Sequence, residues 1–95
     1  MMNEKIKVYK ECDLNGGIQK QYKFANGYGA SVVQHHFSYG NDQGMWELAV
    51  LKWVDDRYYL EYSTEITDDV IGNLTDDEVE KTLERIESLT VRDKE

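Results

Sequence analysis

Hydrophobic and polar positions alternate with a period of two through the first two thirds of the chain, then switch to a period near 3.6. Ile6 and Val8 alternate with Lys5, Lys7 and Tyr9 and predict a first strand. Ile18, Tyr22 and Phe24 alternate with Gln19, Gln21 and Lys23 and predict a second, interrupted at Lys20. Tyr28–His35 is rich in β-branched residues and predicts a third. In Met45–Val54 both sets of positions are apolar: Trp46, Leu48, Val50 and Val54 on one, Met45, Ala49, Leu51 and Trp53 on the other. That pattern describes a central strand covered on both sides. Arg57–Tyr62 carries Tyr58, Leu60 and Tyr62 on one side. Only Asp55-Asp56 separates it from the preceding strand, the spacing of a tight hairpin.

Gly and Asn mark the other breaks, since the chain has no proline. Asn15-Gly16-Gly17, Asn26-Gly27 and Gly40-Asn41-Asp42-Gln43-Gly44 are turn signals. After Tyr62 the period changes. Thr75-Asp76-Asp77-Glu78 is a capping box, and Leu74 with Val79 makes the matching hydrophobic staple. Val79, Leu83, Ile86 and Leu89 then recur at helical spacing, a stripe about 120° wide that suits a surface helix with one buried face. Thr67–Gly72 reads as a shorter capped helical turn, with Thr67 as N-cap and Gly72 near its end. The expected fold is α+β: a four- to five-stranded, mainly antiparallel sheet, a short helical turn, and a C-terminal helix packed on one face. Residues 1–95 form one expected domain, with residues 1–17 as an N-terminal strand or arm.

The segments Phe24–Val33, Ser38–Leu51 and Tyr62–Leu89 together resemble a group of small uncharacterised phage and prophage proteins. The shared pattern is a Gly-Tyr-Gly-Ala-Ser strand, a Tyr-Gly loop, a Trp-Glu-Leu-Ala-Val strand and an Ile-Thr-Asp-Asp-Val segment before a capped helix. The resemblance implies an origin in a phage genome and a shared fold plan, and with that origin the expected location is the cytoplasm of a bacterial host cell. It brings no catalytic residue with it.

Composition narrows the classes of function. At 95 residues the chain holds one modest core and not a multidomain enzyme. The N-terminus has no apolar run of the kind a secretory signal requires, and nothing approaches the length of a membrane span. One cysteine, Cys12, permits no internal disulfide, which fits a reducing cytoplasm. The net charge of -8 falls entirely on residues 48–95, whereas all the aromatic residues lie between Tyr9 and Tyr62. Such a charge repels phosphate backbones, so no nucleic-acid partner is expected. A stacking platform of Lys5, Lys7, Lys20 and Lys23 with Tyr9, Tyr22 and Tyr28 would have to work against the rest of the molecule.

Recognisable sites of chemistry are thin. His35 and His36 are adjacent, so on a strand they face opposite ways, and Cys12 is the only thiol. No metal is expected, because a zinc site takes three or four protein ligands. Gly27-Tyr28-Gly29 begins a dinucleotide fingerprint, but the third glycine is missing and a strand follows. No cofactor is expected. Asp68-Asp69 and Asp76-Asp77 open helix-like segments, where acids are favoured by the helix dipole without any catalytic role.

The expected function is therefore non-enzymatic, through contact with a protein partner. Tyr39, Trp46, Trp53, Tyr58 and Tyr59 are the contact candidates, because Trp and Tyr dominate binding hot spots. The alternative is an acidic, DNA-mimicking inhibitor of a host DNA-binding defence enzyme, acting through Asp68, Asp69, Asp76, Asp77 and Glu80. A homodimer is also expected. One helix covers one sheet face, leaving Met45, Leu51, Trp53 or Tyr59 on the other as an apolar patch for a second copy.

Overall fold

A computed structural model describes residues 6–14, 16–34, 44–67 and 69–89. Its elements are β1 (Lys10–Leu14), β2 (Gly17–Lys23), β3 (Tyr28–Gln34), β4 (Trp46–Val54), β5 (Arg57–Leu60), β6 (Ile71–Leu74) and α1 (Asp76–Glu87). The strands form one antiparallel sheet in the order β1-β2-β3-β4-β5, and β6 also pairs with β4. β3 takes one edge of β4. The other edge is divided, with β5 along residues 51–54 and β6 along 46–48. The α+β class and the mainly antiparallel sheet with a C-terminal helix are as the hydrophobic pattern predicts, with six strands in place of the expected four or five.

Paired residues share a face, so the register sorts the side chains. Tyr22, Ala30, Val32, Leu48 and Val50 lie on one face and form a single buried cluster with Val79, Leu83 and Ile86 of α1. The helix starts where the capping box places it. Thr75 Oγ1 accepts from the Glu78 amide at 3.2 Å, and the Thr75 amide donates to Glu78 Oε1 at 2.9 Å. Leu74 and Val79, the staple pair, are both buried.

Two expected elements take another form. The first strand is Lys10–Leu14, and residues 6–9 of the apolar alternation lie outside it. Gly16 stands at φ 82° and Leu14 pairs with Gly17, so the residues just before this glycine become the partner of β2 whatever their polarity. Part of the expected N-terminal arm is thus integral to the sheet. The short helical turn at Thr67–Gly72 is absent among the described residues. Thr67 Oγ1 accepts from the Asp69 amide at 3.1 Å and Asp69 Oδ1 from the Val70 amide at 2.8 Å, which hold bends, and Ile71–Leu74 is a strand. Six residues repay the cost of helix nucleation poorly, and the open edge of β4 offers Ile71 and Leu74 a ladder and a core. An extra residue in β6 makes a bulge against Trp46–Leu48, with Asn73 at φ 57°.

Candidate interaction surface

The tryptophans of β4 both serve the fold. Trp46 is half-buried on the helix face; its Nε1 donates to Asp76 Oδ1 at 2.8 Å and Lys20 Nζ lies 5.1 Å from its ring centre. The contact ties the start of β4 to the first turn of α1. Trp53, on the opposite face, is buried at 7 % exposure. Its Nε1 donates to the Tyr22 carbonyl at 2.9 Å. Tyr9 and Tyr58 meet its ring edge-on at 5.3 and 5.1 Å, and Lys23 Nζ stands 5.0 Å above it.

The Gly-Tyr-Gly segment has a structural use. Gly29 lies under the Trp53 indole, where a Cβ would stand 2.5 Å from Nε1 and collide with the Tyr22 carbonyl oxygen. Asn26, one residue before the segment, closes the far end of the helix. Its Nδ2 lies 3.0, 3.1 and 3.0 Å from the Ile86, Glu87 and Leu89 carbonyl oxygens, and its Oδ1 accepts from the Tyr28 amide at 2.9 Å. The Ile86 carbonyl also accepts from the Leu89 amide at 3.1 Å, but carbonyls past the last helical turn have no i+4 donor, which is why a side-chain donor is stabilising there.

Most of the expected apolar patch for a second copy is covered within the single chain. Leu51 is fully buried and Trp53 nearly so within the single chain, and Met45 is half-buried. Tyr59 remains exposed, but it pairs with Lys52 and so lies on the helix face, not beside Leu51.

Among the contact candidates, Tyr39 lies outside the described residues, as do His35 and His36. Tyr58 and Tyr59 are exposed at 37 % and 57 %. They sit on β5, all four residues of which are exposed. Leu60, Val54 and Tyr62, which are not among the contact candidates, are exposed beside them. Their signal was positional: a short strand after a tight hairpin, with nothing in the sequence marked to pair beyond it. β5 ends the main path of the sheet, and among the described residues no strand lies outside it. The two-residue turn and the bond from the Glu61 amide to the Val50 carbonyl, 2.8 Å, set which backbone groups face β4. Those of Arg57, Tyr59 and Glu61 face it, so the N–H and C=O groups of Tyr58 and Leu60 point outward.

Of the described acidic candidates, Asp69 and Asp77 are exposed, whereas Asp76 and Glu80 are at least partly buried. Asp68 lies outside the described residues. Asp69 is exposed and accepts from the Val70 amide, Asp76 is held by Trp46, and Asp77 bridges to Lys81 at 3.2 Å. Glu80 is buried at 6 % exposure.

A cleft of about 790 Å³ opens between α1 and the segment at 63–65, bordered by Tyr28, Thr64, Glu65, Lys81 and Arg85. Its lining alternates in sign, so it concentrates neither polyanions nor polycations. Cys12, half-buried, donates its thiol toward Gln19 Oε1. Among the described residues no group of three or more His, Cys, Asp or Glu side chains is placed to hold a metal ion, and no helix is long and apolar enough to cross a membrane. No protein-family model matches the chain, and no curated protein or solved structure shows significant similarity to it.

Proposed function

We propose that this chain is a small phage accessory protein that works in the host cytoplasm by protein–protein contact, without catalysis, and that β5 with its flanks is the contact surface. The observation that carries the reading is the exposure of Tyr58, Tyr59 and Leu60 on a strand beyond which no other strand lies among the described residues. Tyrosine is suited to such a place because its ring is apolar and its hydroxyl tolerates water. Main-chain bonds along an edge supply affinity, and the side chains that alternate beside them supply selectivity. The acidic-inhibitor alternative is less well supported, because Glu80 is buried and Asp76 is engaged by Trp46.

The test is capture from host lysate with the parent chain and with Tyr59→Asp, at low and high salt. A partner retained by the parent at both salt levels and lost by the variant supports an aromatic edge. Capture that disappears with salt and ignores Tyr59→Asp would instead favour the acidic side chains, since exposed charges are screened over about 10 Å at 0.1 M salt.

A further inference from the structure

The sheet has two long-path edges, and they differ in protection. β1 carries Lys10, Glu11 and Asp13, charges of the kind that keep an edge from pairing. β5 presents Tyr58, Tyr59 and Leu60 in the middle, with Arg57 at one end and Glu61 just past the other.

That arrangement is self-complementary. Two copies of β5 can run antiparallel only in registers that set outward-pointing residues opposite one another, namely Tyr58 and Leu60. With Tyr58 opposite Leu60, each copy's N–H and C=O groups at these positions exchange bonds. Tyr59 then meets Tyr59 of the second copy on the two-fold axis, and Arg57 meets Glu61 twice, once on each side. The neighbouring registers lose this match. Tyr58 opposite Tyr58 sets Glu61 against Asp55, two acids, and Leu60 opposite Leu60 sets Arg57 against Ser63 and Tyr59 against Glu61. Glu61 is already held at the strand end, where Oε2 accepts from the Ser63 amide at 3.2 Å and from the Ser63 hydroxyl.

We infer that the occupant of the β5 edge is a second copy of this chain, joined antiparallel about Tyr59 in the register that pairs Arg57 with Glu61. The inference rests on β5 being the contact surface, as proposed above, and names what it binds. It is an edge-to-edge dimer in place of the expected face-to-face one, whose Leu51 and Trp53 are buried within the single chain. The result is a continuous sheet through both copies, of the isologous two-fold kind.

Sedimentation equilibrium over a concentration series tests it. The parent is expected at twice the chain mass. Arg57→Glu and Glu61→Arg each set like charges opposite one another at both ends and should weaken the dimer by roughly tenfold or more. The double variant Arg57→Glu/Glu61→Arg restores opposite charges and should recover it. Leu60→Pro removes an outward N–H while leaving the β4 ladder intact, and should give a monomer with the circular dichroism of the parent. A parent that stays monomeric, a dimer indifferent to Arg57→Glu, or a double variant that fails to recover would each overturn the inference. A monomeric parent that still loses a host partner on Tyr59→Asp overturns this inference alone and leaves the contact-surface reading standing.

Discussion

On the helix side of β4, Leu48 and Val50 meet Val79, Leu83 and Ile86 in a layer built almost wholly of hydrocarbon. On the other side, Leu51 and Trp53 share their face with a polar ladder. There Gln21 Nε2 donates to Gln19 Oε1 at 3.1 Å, Gln19 Nε2 donates to Ser31 Oγ at 2.9 Å, and both Gln21 and Ser31 are buried. The helix face is held by shape and apolar area, which tolerate small adjustments of side chains. The second face is held by directed bonds and by one backbone position without a Cβ. A buried polar group costs little while bonded and much once its partner is removed, so this face has less latitude. A strand with hydrophobic residues on both sides therefore need not lie between two hydrophobic layers.

The largest expected effect is on the second face. Gly29→Ala puts a methyl into the Tyr22 carbonyl and the Trp53 indole, and the loss should exceed about 3 kcal/mol, since backbone has to move. Urea unfolding would show it, along with a changed near-ultraviolet signal from Trp53; a midpoint like that of the parent would mean that the indole does not lie over β3. Leu83→Ala, on the helix face, should cost about 3 kcal/mol through lost burial and a cavity. Little loss there would show that the helix can slide to fill the space, and would weaken the contrast between the faces.

Asn26→Ala removes the donor shared by the last helical carbonyls and should cost about 2 kcal/mol. Amide exchange should quicken at the C-terminal end of α1 before the N-terminal end; uniform change along the helix would count against a local tie. At the other end, Thr75→Ala should cost about 1 kcal/mol, seen as a lower urea midpoint at unchanged slope. Smallest of all, Tyr59→Ser should change monomer stability by less than about 0.5 kcal/mol, because the ring is mostly in solvent. A larger loss in dilute chain would place Tyr59 in the fold and not on a contact surface.

Of the candidate surface, Tyr58 and Tyr59 were legible as aromatic contact candidates, but Trp46 and Trp53 were indistinguishable from them as letters. What separates the two pairs is position in the sheet. β4 is flanked on both edges, and each indole N–H finds an acceptor remote in sequence, Asp76 for Trp46 and Tyr22 for Trp53. The Asn-Gly turn signal at 15–16 contained more than the apolar alternation before it: a hairpin joins the residues nearest its turn, so Lys10–Leu14 was the strand to expect.

What the chain determines by itself is local. The period-two segments become β2 to β5, the turn pairs end them, and Thr75 with Glu78 starts the helix, because each of these depends on backbone preferences and side chains within a few residues. The tertiary structure decided the rest. It made a strand of Ile71–Leu74 because β4 had an edge to fill, turned Gly29 into the seat of Trp53, and gave Asn26 carbonyl partners up to 63 residues away. Those roles depend on distances that close only when the sheet and helix have come together, and no pattern of neighbouring residues encodes them.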